Sequence, residues 1–420
     1  MRKSGFSFGN LDWILIGIYL LLVLFGWINI YAAVYNQDHS SIIDMSQRYG
    51  KQLLWIAASF ILILLIFIID PKFFNQFSYL IYGFHILTLI AVLLFGKEVA
   101  GSKSWFQFGS IAIQPAEFVK YSTALALAHF LSGIKELKLK QIVISGVIMF
   151  LPAALIVLQN DTGSALVYVS FILVLYRMGL PGGVFGVGFV MVILAILALV
   201  FNTLQEQIIL TGVIFSLLAG LYYFMRKGFS AIMRLLAVFI ISSGFIFSVG
   251  AGFNKLQPHQ QDRIEVLLGL KDDPYGAGYN VHQSKIAIGS GEFTGKGFLK
   301  GTQTKFDFVP EQSTDFIFCT VGEEWGFIGA AGVVLLFVAL LSRLIFVAER
   351  QRSSFAKYYG YGVASVLFFH FTINVGMVLG LLPTIGIPLP FFSYGGSSLW
   401  AFTILLFIFI RQDAERMNLL

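Results

Sequence analysis

The sequence predicts an all-α polytopic membrane protein of about twelve transmembrane helices. Three observations carry that prediction. Of 420 residues, 57% are hydrophobic and only 12% charged, where a water-soluble domain carries roughly 25% charged residues. Mean hydropathy is +0.82. The apolar residues also lie in blocks of about 20, the length a helix needs to cross a hydrocarbon core roughly 30 Å thick. A cytosolic enzyme, a disordered chain and a secreted disulfide scaffold are thereby excluded. The single cysteine, Cys319, can form no internal disulfide, and no Cys/His cluster offers a structural zinc site. The surplus of 28 Lys+Arg over 22 Asp+Glu is modest and fits basic cytoplasmic loops as well as it would fit nucleic acid.

In chain order the apolar runs cover 11–35, 50–69, 75–96, 115–133, 141–159, 163–178, 183–201, 207–224, 230–250, 316–346, 358–381 and 395–410. The first is too long for a signal-peptide core and no small-residue cleavage site follows it, so it reads as a retained helix. At the tight turns near Asn160 and Pro181, a pair of helices could instead be one broken helix. With the N-terminus inside, short loops divide sixteen Lys and Arg inside against four outside, the four being Arg48, Lys51, Lys97 and Lys103. Both termini are therefore expected to be cytoplasmic. No period of 20 to 50 residues repeats, so 1–420 reads as one membrane-embedded domain. Segment 252–315 differs: about 64 residues rich in Gly, Lys, Asp, Glu and Gln are too many for a connector, and they should form one long extracytoplasmic loop. It holds Asp262, Glu265, Asp272, Asp273, Glu292, Asp307 and Glu311 beside Arg263, Lys285, Lys296, Lys300 and Lys305.

Several polar motifs invite chemistry, and each has a plainer explanation beside it. GSGEFTGKG at 289–297 suggests a phosphate loop but fails on spacing, since Ser290 stands where the first Gly of GxxxxGK belongs and Gly297 where Ser or Thr should be; glycines permitting tight turns explain it as well. Glu117 and Lys120, three apart on one helical face, can neutralise one another or face a cavity. Asp161 in LQNDTGSAL can cap the following helix. His129 and His370 stand in apolar runs without neighbouring ligands and read as packing residues. In KFDFVPEQSTDFIFCTVGEEWGFIG, 305–329, Pro310, Glu311, Thr314 and Asp315 stand where the outer loop enters a span, with Glu323 and Glu324 two turns further in. A carboxylate at such a rim is either a helix cap or a base with a raised pKa. GLLPTIGIPLPFFSYGGSS, 380–398, breaks helicity at Pro383, Pro388, Pro390, Gly395 and Gly396. Non-helical backbone at membrane depth survives only when buried in protein or lining a wet cavity, so this segment reads as a re-entrant wall, with an ordinary outer loop as the alternative.

Four stretches together resemble the SEDS family of bacterial peptidoglycan polymerases (shape, elongation, division and sporulation proteins): GSKSWFQFGSIAIQPAEFVK at 101–120, DPYGAGYNVHQSKIAIGSGEFTGKG at 273–297, GTQTKFDFVPEQSTDFIF at 301–318 and NVGMVLGLLPTIGIPLPFFSYGGSS at 374–398. They fill about a fifth of the chain in family order, and the GTQTKFDFVPE lead-in favours the elongation branch over the division branch. Ser104, Asn160 and Ser313 stand where the family usually has Arg, Pro and His; Lys103 is expected to substitute for the first. Family members usually have ten spans, which leaves an added pair near 183–224.

The resemblance implies a glycosyltransferase that polymerises lipid II on the outer face of the cytoplasmic membrane, with Asp315 of the TDF motif as catalytic residue. It implies a substrate-binding set of Lys103, Trp105, Glu117, Lys120, Asp161, Arg263, Gln283, Lys285, Lys296, Glu311, Thr314, Ser393, Gly395 and Gly396, with lipid lying in a groove floored by Trp105 and the 383–396 segment. The implied partner is a class B penicillin-binding protein, a transpeptidase. No ligand cluster predicts a metal, although a divalent cation such as Mg or Mn could assist the diphosphate. Two rivals are a lipid II flippase, which intramembrane charges and broken helices also suit, and a noncatalytic scaffold of the elongation complex. The absence of an inverted repeat and the one-sided polar cluster favour the enzyme.

Overall fold

A computed structural model describes residues 8–35, 41–99, 101–109, 111–225, 229–271, 273, 275–276, 278–306 and 308–416. Asp272 and Asp307 of the outer segment, and Arg2, Lys3, Arg226 and Lys227 of the inner basic set, lie outside the described residues.

The chain is mostly helical. Helix α1 (Trp13–Ala33) is started by Asp12, whose carboxylate accepts the Leu15 N–H at 3.1 Å. It is followed by α2 (Arg48–Ile68), a short α3 (Pro71–Gln76) opened by an Asp70 cap and a proline, and α4 (Ser78–Phe95). Next come three short strands, β1 (Lys97–Val99), β2 (Ser102–Phe108) and β3 (Ile111–Ile113), paired antiparallel in the order β1-β2-β3. The helical reading had no place for them. SKSWFQF supplies β-prone aromatics, and Gly101 (φ 82°) and Gly109 (φ 61°) supply turns that other residues enter only with strain.

Helix α5 (Pro115–Ser132) returns into the bundle, then α6 (Leu139–Val157). Helices α7 (Thr162–Leu166) and α8 (Ile172–Arg177) are joined through a 3₁₀ turn, Val167–Phe171. Four helices follow: α9 (Gly183–Val200), α10 (Leu204–Met225), α11 (Phe229–Phe253) and α12 (Pro258–Leu267). The chain closes with α13 (Tyr279–Ser290), α14 (Ile317–Glu349), α15 (Ser354–Val378) and α16 (Gly396–Ala414).

Among the described residues, ten helices are long and apolar enough to cross a membrane, two fewer than the expected twelve. The other two expected spans are helical but differ in kind. Helix α5 carries Glu117, Lys120 and His129 and is largely buried by neighbours, while Thr162–Arg177 is short and interrupted.

The expected single domain divides into two compact units, one formed by Met1–Gly179 with Asn280–Leu420 and one by Leu180–Tyr279. The outer segment 252–315 is thereby shared between them. In the smaller unit α11 packs on α9 and α10. In the larger one α15 packs on α5 and α14, α5 on α4 and α16, α2 on α16, and α1 on α14. Helices α15 and α16 form its interior, whereas Leu64, Ile68, Leu80 and Phe95 of α2 and α4 point outward from the protein, as lipid-facing side chains must.

At the end of the larger unit opposite the re-entrant segment, buried Asp12 and Asp413 share Arg350: its Nη2 lies 2.9 Å from Asp12 Oδ2 and 2.5 Å from Asp413 Oδ2. Arg343 adds a 2.8 Å bond to Asp12, and Arg416 one of 3.1 Å to Asp413. The network ties the start of α1 to the ends of α14 and α16, and its three arginines, Arg343, Arg350 and Arg416, belong to the set expected inside. Asp12 immediately precedes the first spanning helix. Burial works to raise its carboxyl pKa, but hydrogen bonds from Arg343 and the Leu15 N–H, with the charges of Arg343 and Arg350, outweigh burial and hold it below the ordinary carboxylate value. Its stabilisation is thus complete above the unfolded pKa of about 3.9 and is lost as pH falls through the lower folded value. Thermal unfolding in detergent should show wild type losing more stability on acidification from about pH 5 to about pH 3 than Asp12→Asn does; parallel curves would refute the network's role.

Candidate functional site

The site grows out of a backbone problem. Between α15 and α16 the prolines forbid helix, so the carbonyls and amides of 379–395 need other partners. Two residues one turn apart on α15 supply them. Asn374 Nδ2 donates to Ile387 O at 2.7 Å and to Asp315 O at 2.7 Å, and His370 Nδ1 lies 3.1 Å from Pro388 O. Ser393 Oγ accepts from Leu389 N at 2.9 Å and donates to Thr314 O at 2.6 Å, while Tyr394 N donates to Ser313 O at 2.9 Å. The backbone of 313–315 is thus zipped onto 387–394. The segment forms a non-helical wall, buried at 387 and 389–393, and Asp315 is built into its edge.

A left-handed backbone favours glycine beside Asp315. Gly386 has φ +67°, and a Cβ on it would stand 3.4 Å from Asp315 Oδ2. Gly395 and Gly396 serve packing: Gly395 N donates to Gln52 Oε1 at 3.2 Å, and a Cβ on Gly396 would meet the Trp55 ring at 3.0 Å. Ser397 Oγ accepts from Gln114 N at 3.2 Å and lies 3.3 Å from Ala112 O, joining the start of α16 to the strand preceding α5.

The rim beside Asp315 is polar and half open. Arg48 Nη1 donates to Ser313 Oγ at 2.6 Å, lies 3.7 Å from Glu311 Oε2 and sits over the Tyr394 ring at 5.9 Å. Thr314 Oγ1 donates to Glu311 Oε2 at 2.9 Å, and Glu311 takes a left-handed φ of 53°. The sequence reading counted Arg48 only as a loop charge. No sequence signal separates it from Lys51; its bond to Ser313 marks it only in three dimensions.

Behind the wall, buried Lys120 lies 2.8 Å from Glu117 Oε1, 3.0 Å from His370 Nε2 and 4.9 Å from the centre of the Phe402 ring. The ion pair is real, and it reaches the wall through His370, which the sequence reading treated as mere packing.

The remaining expected residues scatter. Asp161 caps α7 through the Ser164 N–H at 3.0 Å and accepts from Gln114 Nε2 at 2.9 Å, the plainer of its two explanations. Lys103 Nζ donates to Leu94 O at 3.2 Å, and half-buried Trp105 pairs across the hairpin with Lys97. On α13, Gln283 is half-buried and Lys285 lies against Gly380, where a Cβ would stand 2.5 Å from its Nζ. Arg263 lies on α12 in the smaller unit. Lys296 is spent on Glu323, 2.6 Å away. Among the described residues no group of three or more His, Cys, Asp or Glu is gathered as metal ligands.

A carboxylate set in the edge of a non-helical wall, within a bundle of helices long and apolar enough to cross a membrane, defines the class as a multi-pass membrane protein. Comparison with known proteins makes the class specific: the family model described as cell cycle protein FtsW/RodA/SpoVE matches residues 12–213 and 204–418, and the chain belongs to that family. It is 34% identical to the peptidoglycan glycosyltransferase RodA of Treponema pallidum (strain Nichols), over 99% of this chain and 100% of that protein. It is 31% identical to the peptidoglycan glycosyltransferase MrdB of Escherichia coli (strain K12), over 95% of this chain and 92% of the relative. Among solved structures, a chain from a study of the structural coordination of polymerization and crosslinking by a peptidoglycan synthase complex aligns with TM-score 0.68 and 25% identity, covering 97% and 98% of the two chains. The crystal structure of Thermus thermophilus RodA shares the fold at TM-score 0.62 and 23% identity, covering 97% of each chain.

Gly386→Ala should cost about 1 to 2 kcal/mol, because alanine is strained at positive φ. Denaturation midpoints of the purified variant in detergent check this, and an unchanged midpoint would contradict the left-handed conformation at Gly386.

Proposed function

We propose that this protein is a peptidoglycan glycosyltransferase of the cytoplasmic membrane that polymerises lipid II into glycan strands during cell elongation, with Asp315 as general base. The carrying observation is the placement of Asp315: its backbone is pinned by Asn374 while its side chain stands beside Gly386. Curated relatives aligned over nearly the whole chain bear the name peptidoglycan glycosyltransferase, which supports the same reaction.

The chemistry follows from what the substrates need. A sugar hydroxyl is a poor nucleophile until a positioned carboxylate takes its proton, a contribution worth roughly 10² to 10⁴ in rate. As the acceptor oxygen attacks the anomeric carbon of the donor, its proton passes to Asp315. The bond from that carbon to the diphosphate breaks, and its electron pair leaves on the diphosphate oxygen. Attack from the face opposite the leaving group inverts the configuration, so a second carboxylate is unnecessary. Arg48, half exposed at the same rim, offers the positive charge that the departing diphosphate requires, with Lys285 on α13 as a second source. A divalent cation such as Mg or Mn would enter with the donor diphosphate, since the described residues gather no ligand group for it. The apolar bundle gives the polyprenyl tail a place while the sugars stay in water, and the wall on the outer side of the membrane would receive them. The fitting partner is a class B penicillin-binding protein that cross-links the new strands; the fold likeness to a chain of a complex coordinating polymerization and crosslinking supports it.

Purified protein in detergent, given lipid II, should make glycan strands, which a flippase with no two compartments to connect would not do. Asp315→Asn should lower the initial rate by about 10² to 10⁴ while the protein still folds; polymerisation at the wild-type rate would refute the base. Arg48→Met should lower kcat by about 10²-fold, and an unchanged kcat would remove Arg48 from the reaction.

A further inference from the structure

Segment 289–304 is not a loose glycine loop. The Glu323 side chain, fully buried on α14, accepts from Lys296 Nζ at 2.6 Å, Thr302 N at 2.7 Å, Gln303 N at 2.8 Å and Thr304 N at 3.0 Å, with the hydroxyls of Thr304 at 2.8 Å and Thr302 at 3.2 Å. Both oxygens are thereby saturated, because a carboxylate has about four lone-pair sites. Glu324 accepts the Leu299 N–H at 3.1 Å. The backbone joins in: Lys296 N donates to Glu323 O and Gly297 N to Glu324 O, each at 3.0 Å. A Cβ on Gly291 or Gly295 would stand 2.0 or 2.1 Å from the carbonyl oxygens of Gly322 and Glu324. Gly291 and Gly295 of GSGEFTGKG are therefore explained by backbone docking on GEEWG of α14.

This docking has a geometric result for the site. The chain that leaves the clamp at Thr304 enters α14 just after Asp315, so one helix holds both ends of a short loop. Its far end is fixed by Asn374, Ser393 and the Tyr394 amide, and its middle by Gln312, whose Nε2 donates to Ala33 O at 2.8 Å. Three successive amides converging on one buried carboxylate fix the path of 302–304. They consequently set where Glu311 and Asp315 can stand relative to a substrate.

We infer that Glu323 is a positioning residue for the reaction: its carboxylate closes the outer loop onto α14 and holds the rim that presents Asp315, resting on the reading of Asp315 as the base. A misplacement of about 1 Å can cost 10²-fold in rate, so loosening this clamp should act on turnover more than on binding.

The test uses full-length protein in detergent and three variants, Glu323→Gln, Thr304→Val and the conservative Thr304→Ser. Glu323→Gln replaces one acceptor oxygen by an amide that faces the loop's donors, and Thr304→Val removes a single hydroxyl donor at equal volume. Hydrogen exchange should show protection lost at 299–312 in Glu323→Gln, with α15 and α16 unchanged. Its kcat on lipid II should fall about 10- to 100-fold with KM within threefold, Thr304→Val should fall less, and Thr304→Ser should stay near wild type. Unchanged exchange at 299–312 would overturn the clamp. Lost protection with wild-type kcat would overturn the positioning role and leave Glu323 a purely structural group. If Glu323→Gln does not fold, Thr304→Val decides by the same two readouts. Should wild type itself make no polymer, the glycosyltransferase reading fails, while the exchange measurement still judges the clamp.

Discussion

Backbone at membrane depth that is not helical must find its hydrogen bonds within the protein, because hydrocarbon offers none. In this chain that requirement falls on 379–395, and it is met from α15 by Asn374 and His370 and from the segment itself by Ser393. The same donors reach across to 313–315. A single solution to the backbone problem therefore creates the wall, orders the approach to α14 and fixes Asp315, the residue proposed as the base. Buried Lys120 belongs to this arrangement: bound to Glu117 on its own helix, it supports His370 from behind, and such a pair survives burial because each charge has a partner.

Carboxylates illustrate how surroundings divide one functional group among several tasks. Asp161 is occupied in capping α7, Glu117 is bound to Lys120, and Asp12 and Asp413 neutralise arginines at the far end of the bundle. Glu323 is saturated by donors of the outer loop and could accept a substrate proton only by releasing that loop. Glu311 is the rim's other acid, but it is largely exposed and engaged with Thr314 and Arg48. Asp315 alone of these combines a pinned backbone with a side chain at the wall's edge.

Much of this was legible in the sequence, and the parts that were not share a cause. Apolar runs near 20 residues mark helices because membrane thickness fixes their length, and every expected span is helical here. The prolines of 383–390 foretell the wall because proline removes helical hydrogen bonds. Asn374, Arg48, Gln52 and Gln114 escape detection because one polar residue in an apolar run, or one basic residue in a loop, has no periodicity and acts through residues remote in the chain. The three-stranded hairpin between α4 and α5 was hidden for a related reason: seven residues of SKSWFQF are too few to outweigh the long helical patterns around them. The division into two units also leaves no mark in composition, since 180–224 is as apolar as the rest.

Rigid attachment on both sides of 313–315 has a consequence for how the site can move. The wall holds this stretch through backbone carbonyls of successive residues, Ser313 through the Tyr394 amide, Thr314 through Ser393 and Asp315 through Asn374, so it cannot swing without breaking several bonds together. A site meant to accept a new unit and then release a longer chain must nevertheless open somewhere. The outer segment is held separately, by bonds that converge on the buried carboxylate of Glu323 on α14. The position of Asp315 thus depends on two hydrogen-bond sets, the wall's at 313–315 and the clamp's on α14, so any opening for substrate must break bonds that also present the base.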